Sequence, residues 1–142
     1  MKSSRLRAHL KAAQIYAELS HATRLKVGAL IIKDDRPISV GYNGMPSGAS
    51  NICENTTVNG DVIHVTTKPE VIHAEKNAIA FAAKNGTATK GCTLVITHSP
   101  CFDCATLILQ SGITAVYYDE EYRDTSGIEF LNKFIKCKKI GK

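Results

Sequence analysis

Three metal-competent side chains and one carboxylate, carried by two short motifs, constrain this chain more than any other feature. The motifs are His73-Ala74-Glu75 and Pro100-Cys101-Phe102-Asp103-Cys104, with a helical segment and an apolar strand-like run between them. A structural zinc site usually closes with four protein ligands, whereas a catalytic one keeps three and leaves a position for water. His73, Cys101 and Cys104 make three, and Glu75 is left over as a base. The fold must therefore bring two separate segments to one point.

The spacing says how. In mid-helix, His73 and Glu75 would point to nearly opposite sides, because neighbours on one helix face are three or four residues apart. Both can reach one metal only in the first turn, and Pro69 disfavours helix upstream of them. Cys101 and Cys104 are three apart and Pro100 marks another helix start, so both thiols face the same way. Two helix N-termini then aim at the metal, and their positive ends favour thiolate over thiol.

Around these motifs the chain alternates between helix and strand. Arg5 to Leu19 reads as an amphipathic helix with Leu6, Leu10, Ala13 and Ala17 on one stripe. Val27 to Ile32 is a buried strand, Lys33 to Pro37 a turn, and Ile38 to Asn43 its antiparallel hairpin partner. Gly44 to Gly60 is rich in Gly, Ser, Asn and Thr and reads as loop. Asp61 to Thr66 alternates like a short strand. His73 to Asn85 is helical and stops at Asn85-Gly86. Thr93 to Thr97 is a strand, Phe102 to Gln110 a helix, Ile113 to Tyr118 a strand, and Ser126 to Phe134 a last helix before a short strand or tail. The strand–helix–strand run implies a parallel crossover. The expected architecture is α/β with three layers: a central mixed sheet, hairpin first and parallel afterwards, with helices on both faces.

Bulk properties narrow the class. At 142 residues and 44% apolar, the chain suits a single domain spanning 1–142. No apolar run reaches membrane-spanning length, and the basic start, Met1-Lys2-Ser3-Ser4-Arg5, runs into residues too polar for a signal-peptide core. A soluble, cytoplasmic protein is expected. Five cysteines is an odd number, and two of them form Cys-x-x-Cys, which favours reduced thiols and a metal over disulfides. A net charge of +5 suits an anionic partner, although Lys133, Lys136, Lys138 and Lys139 also read as a solvated tail. A closed structural zinc site would need a fourth ligand such as His64, His98 or Cys92. Cys53 and Cys137 have no metal spacing.

Bound zinc would acidify a water, and Glu75 would move its proton to a ring nitrogen and then to a leaving amine, which is hydrolytic deamination. His-x-Glu followed by Pro-Cys-x-x-Cys is a known signature of zinc deaminases. From about Ser20 to Tyr122 the chain resembles the deoxycytidylate (dCMP) deaminases of the zinc-dependent cytidine deaminase superfamily. The resemblance rests on Lys26-Val27-Gly28-Ala29, Gly41-Tyr42-Asn43-Gly44-Met45-Pro46-Ser47-Gly48, Ile72-His73-Ala74-Glu75-Lys76-Asn77-Ala78-Ile79 and Ser99-Pro100-Cys101-Phe102-Asp103-Cys104.

That resemblance implies a three-layer α/β/α cytidine-deaminase-like fold with a central sheet of about five strands. It also implies one catalytic Zn2+ on His73, Cys101 and Cys104, with Glu75 as proton shuttle. The reaction would turn dCMP into dUMP and ammonia, feeding thymidylate synthesis. Substrate residues would be Asn43 at the sugar, Lys84 at the 5′-phosphate, and Ser99 and Tyr122 beside the nucleotide. Three of them also have a plainer reading: Asn43-Gly44 as a turn, Lys84 as a helix-end lysine favoured by the dipole, Tyr122 as an exposed loop residue. The resemblance further implies a homo-oligomer, six chains being favoured, activated by dCTP and inhibited by dTTP with Mg2+ on the triphosphate. The effector loop would hold Gly41, Tyr42, Asn43, Gly44 and Gly48. Asn51 to Lys68 offers only Cys53 and His64, so a second zinc is not expected.

Two other functions compete. A tRNA or single-strand nucleic-acid deaminase would share the metal motif, but needs a basic groove with stacking aromatics, and the chain has four Phe, five Tyr and no Trp. A non-catalytic zinc domain would have no use for Glu75.

Overall fold

The structure, a computed structural model, describes residues 1–140; residues 141 and 142 of the expected 1–142 domain lie outside the described residues. Helix α1 (Ser3–Ala17) is followed by a hairpin of β1 (Gly28–Lys33) and β2 (Arg36–Tyr42). The two turn residues, Asp34 and Asp35, have φ of 49° and 66°. Positive φ at both positions gives the twist that matches a right-handed strand pair, and Asp tolerates that region better than most residues. A second hairpin, β3 (Glu54–Asn59) with β4 (Val62–Thr67), precedes α2 (Ala74–Lys84). The chain then alternates through β5 (Thr93–His98), α3 (Phe102–Gln110), β6 (Ala115–Glu120), α4 (Ser126–Asn132) and β7 (Lys136–Lys139).

Five strands form the central sheet in the order β2-β1-β5-β6-β7. β1 runs antiparallel to both β2 and β5, whereas β5, β6 and β7 are parallel. The mixed sheet is the one expected, and the last strand lies parallel to β6 with Ala115 opposite Lys136. Side-chain alternation sends the two faces of each strand into different cores. Ala29, Ile31, Leu94, Ile96, Val116 and Tyr118 face α2, α3 and α4, where Ala78, Ile108 and Leu131 are buried. Leu30, Ile32 and Val95 face α1 and meet Leu6, Leu10 and Ala13. This is the α/β/α sandwich. Among the described residues no helix is long and apolar enough to cross a membrane.

The region read as loop from Gly44 to Gly60 is half strand. Glu54 to Asn59 pairs residue for residue with Val62 to Thr67, in a two-stranded sheet of its own. Its turn is Gly60-Asp61, with Gly60 at φ 64°, the left-handed backbone that glycine permits in a tight hairpin. The strand escapes a pattern search because five of its six residues are exposed. With no buried side there is no alternation of apolar and polar residues to see. Many element ends also shift, mostly by one or two residues. The first helix runs Ser3–Ala17, not Arg5–Leu19; the fourth core strand is Ala115–Glu120, not Ile113–Tyr118; and the last helix stops at Asn132, not Phe134. Ile113 is buried without being in the strand, so its apolar character marks the core rather than the ladder.

Gly41 sits where β2 crosses α2. A Cβ there would lie 2.2 Å from the Ala74 carbonyl oxygen and 2.5 Å from the Ala78 backbone nitrogen. Both obstacles are backbone and cannot rotate away. Ser39 Oγ fastens the same crossing by donating to the Ala78 carbonyl at 2.6 Å, and Asn77 Nδ2 donates to the Tyr42 carbonyl at 2.7 Å. Gly41→Ala is expected to destabilise the protein by about 3 kcal/mol or more, read as a fall in the urea midpoint. An unchanged midpoint would mean that α2 is not seated this closely.

Candidate active site

Helix capping resolves the awkward spacing of the first motif. His73 is the N-cap of α2, with φ −68° and ψ 154°, while Glu75 is inside the first turn. The residue before it is pinned: Gly44 and Ile72 exchange backbone hydrogen bonds of 3.1 and 2.8 Å. Because His73 is extended and Glu75 helical, the opposition that mid-helix geometry would impose disappears. Cys101 is likewise the N-cap of α3 (φ −71°, ψ 171°), and Cys104 is in its first turn. Neither N-cap side chain caps its own helix. Both are left to turn toward a common point.

That point has the dimensions of a zinc site. His73 Nδ1 lies 3.2 Å from Cys104 Sγ and 3.7 Å from Cys101 Sγ, and the three donor atoms all fall within 4.8 Å of one another. A tetrahedral centre with zinc–nitrogen bonds of about 2.0–2.1 Å and zinc–sulfur bonds of about 2.3 Å needs ligand separations of this size. The donor set, one imidazole and two thiols, is the borderline-soft set that zinc takes. Among the described residues no fourth Cys, His or carboxylate joins the cluster. Of the conceivable fourth ligands, His64 is on the exposed hairpin and Cys92 at the far end of β5 from Cys101. His98 has its ring nitrogens 3.0 Å from Thr97 Oγ1 and 3.0 Å from Glu120 Oε2. A closed structural site is therefore not built here.

The charges suit an open one. Hydrogen bonds from Cys104 and His73 push the Cys101 thiol down to about 4, so it is a thiolate at neutral pH. Cys104, donating to it and fully buried, is pushed up. His73 is raised, first by its hydrogen bond with Cys101. Glu75 is only 4% exposed. Burial raises its carboxyl pKa, which suits a group that must hold a proton for part of a reaction cycle. His73, Glu75 and Cys101 line one cavity together with Asn43, Ser99 and Tyr122.

Residues 3–120 match the sequence profile of the cytidine and deoxycytidylate deaminase zinc-binding region. The chain belongs to the cytidine and deoxycytidylate deaminase family. The deoxycytidylate deaminase of Enterobacteria phage T4 is 36% identical, the match covering 80% of this chain and 76% of the phage protein. That of Homo sapiens is 34% identical over 90% of this chain and 79% of the human one. In fold, the chain superposes on the dCMP deaminase of cyanophage S-TIM5, solved in complex with dCMP and dUMP, with a TM-score of 0.87, 38% identity and 98% of both chains covered.

Within this deaminase-family frame the remaining predicted residues divide between two cavities. Asn43 lines the metal-bearing one, and its amide also clasps the chain: Oδ1 accepts from Val27 N at 2.8 Å and Nδ2 donates to the Leu25 carbonyl at 2.8 Å. Buried Ser99 ties in the loop that carries Tyr122, whose N–H donates to Ser99 Oγ at 2.7 Å. Lys84 is elsewhere. At the last residue of α2 it is about 14 Å along the helix axis from Glu75, and it lines a second cavity with Gly41, Tyr42 and Gly44. It does not line the catalytic cavity. Asn43, expected at both sites, belongs to the first cavity, and Gly48 lines neither. Ala74 and His98 also line the catalytic cavity, as do Leu25, Val27, Thr67 and Val71, four residues that escaped the sequence reading as site residues. Thr67 did so because its hairpin was not recognised, and the apolar three carry no chemistry that marks a site.

Proposed function

We propose that this chain hydrolyses dCMP to dUMP and ammonia, in keeping with the phage and human relatives and with the nucleotides bound by the cyanophage enzyme. The observation that carries the reading is a buried carboxylate, Glu75, in the same cavity as a three-ligand metal cluster with no fourth protein ligand among the described residues. His73, Cys101 and Cys104 would hold zinc, which when bound supplies an acidified water near neutral pH. Glu75 accepts the proton of the attacking water and hands it to the pyrimidine ring nitrogen. Its second transfer is to the exocyclic amine, which leaves as ammonia. Asn43, Ser99 and Tyr122 form the wall against which the deoxyribose is oriented.

The regulatory part of the reading attaches to the second cavity. Lys84 there faces the glycine-rich loop, Gly41 to Gly48, so a triphosphate such as dCTP or dTTP with Mg2+ has a cation and closely approachable backbone. Oligomeric assembly, with six chains favoured, belongs to the same reading. A nucleic-acid deaminase shares the fold: a tRNA adenosine-34 deaminase superposes with a TM-score of 0.66 at 19% identity, which speaks to architecture alone. Steady-state assay of the zinc-loaded protein on dCMP, CMP, dCTP and cytidine, each with and without dCTP or dTTP plus Mg2+, tests the proposal. Turnover of dCMP should exceed that of cytidine at least tenfold, about the value of one charge-assisted bond to the phosphate. Equal rates on the two would sink it.

A further inference from the structure

Among the described residues, His98 alone lines both the catalytic cavity and the groove beneath α1 that Gln14, Glu18 and Glu120 also line. It is the last residue of β5, and Glu120, the last of β6, lies opposite it in the parallel ladder. The ring is gripped at both nitrogens. Nε2 lies 3.0 Å from Glu120 Oε2, and Nδ1 lies 3.0 Å from Thr97 Oγ1. A carboxylate can only accept, so Nε2 carries the proton on that side. Buried Thr97 accepts from the Gly28 N–H at 3.2 Å through Oγ1, and has its own hydroxyl hydrogen to give to Nδ1. A protonated ring donates at both places instead, and Thr97 Oγ1 keeps a lone pair to receive it. In either state no nitrogen of His98 is left for a ligand.

The imidazole therefore meets the cavity with its carbon atoms. Its neighbours fix which part of the wall this is. Ser99 follows it in the chain, donates its N–H to the Glu120 carbonyl at 2.8 Å, and accepts from the Tyr122 N–H at 2.7 Å through Oγ. His98, Ser99 and Tyr122 are thus one fastened block of the cavity wall, and in the dCMP reading that block faces the deoxyribose. A 2′-hydroxyl brought against a ring whose nitrogens are both taken loses its water and gains no partner. A 2′-deoxy carbon loses nothing there. Discrimination of this kind is worth roughly ten- to hundredfold in kcat/KM. The device has an accessible handle. The Glu120 side chain is 67% exposed against 18% for His98, so the carboxylate can be changed without opening the core.

We propose that His98 is a specificity-determining residue that favours 2′-deoxyribose over ribose, and that Glu120 is the positioning residue that keeps it so by occupying Nε2. The inference rests on the dCMP reading and adds sugar selectivity to it. It is tested by kcat/KM for dCMP and for CMP, measured without triphosphate on the zinc-loaded wild type and on Glu120→Ala, Glu120→Gln and His98→Phe. Melting temperature and zinc content establish that each variant is folded and loaded. The wild type should prefer dCMP by roughly tenfold or more. Glu120→Ala frees the Nε2–H to meet a 2′-hydroxyl, so kcat/KM for CMP is expected to rise several-fold in absolute terms, about the value of one hydrogen bond. Loss of a merely structural tie would lower both substrates together. Glu120→Gln still accepts from Nε2 through its amide oxygen and should keep the wild-type ratio. His98→Phe presents a ring with no polar atom and should keep the preference for dCMP. A folded, zinc-loaded Glu120→Ala with no gain on CMP overturns the assignment, as does a His98→Phe that loses the preference. A wild type that turns over dCMP and CMP equally well overturns this inference alone, whereas a wild type with no turnover of dCMP removes the reading on which it rests.

Discussion

Glu75→Gln is expected to lower kcat on saturating dCMP by roughly 10²–10⁴-fold while zinc content stays near one per chain. The expectation follows from where the carboxylate is. Glu75 is in the first turn of α2, two residues beyond His73 of the metal-competent cluster, and is nearly sealed from solvent. Glutamine keeps the shape and the hydrogen-bonding reach of that side chain but can neither take a proton from water nor pass one to a leaving amine. The metal ligands are untouched, so binding of zinc and nucleotide should survive, and KM should change far less than kcat. Removing a buried carboxylate whose pKa burial has raised does not threaten the fold, since the amide needs less solvation than the anion. Steady-state kinetics with metal analysis on the same preparation reads the result. A glutamine variant within about tenfold of wild type would show that another group carries the proton.

Cys104→Ala should fail at an earlier step. The thiol is fully buried beneath the site, 3.2 Å from His73 Nδ1, and is the ligand least able to be replaced by water. The variant is expected to retain well under a tenth of the zinc of the wild type and no measurable deamination. Loss of the metal also costs stability, because a ligand that binds only the native state stabilises it by about 4 kcal/mol when its free concentration is a thousand times its Kd. For a chain of this size that is on the order of 10 °C in Tm. Chelation of the wild type should give the same loss of activity and a similar fall in Tm, reversed by added zinc. Metal-free Cys101 remains a thiolate at neutral pH, so one ligand is already deprotonated for reloading. Cys104→Ala should show no further response to chelator. Retained zinc and activity in Cys104→Ala would mean that the three donors do not act together.

Most of the chemistry was legible because it is local. A proline before a helix start and cysteines three apart dictate the direction of two thiols without reference to the rest of the chain. A histidine and a glutamate two apart can converge only across an N-cap, and the backbone angles of His73 show that they do. The apolar strands and the stripe of α1 were legible for the same reason, since burial leaves a period in the sequence. The β3 strand left none. Its residues are polar or exposed on both faces, and its identity comes from pairing with β4 alone.

The amino-acid sequence by itself picked out the His73, Cys101 and Cys104 cluster, the carboxylate beside it and the layered α/β architecture, all of which depend on residue types at short spacings. Only the tertiary structure decided which cavity each more distant residue serves. Helix length carries Lys84 away from Glu75 and into the wall of a second cavity. A hairpin with no buried face brings Thr67 to the first. Such placements are sums of many small displacements along helices and strands, and no short stretch of sequence encodes them.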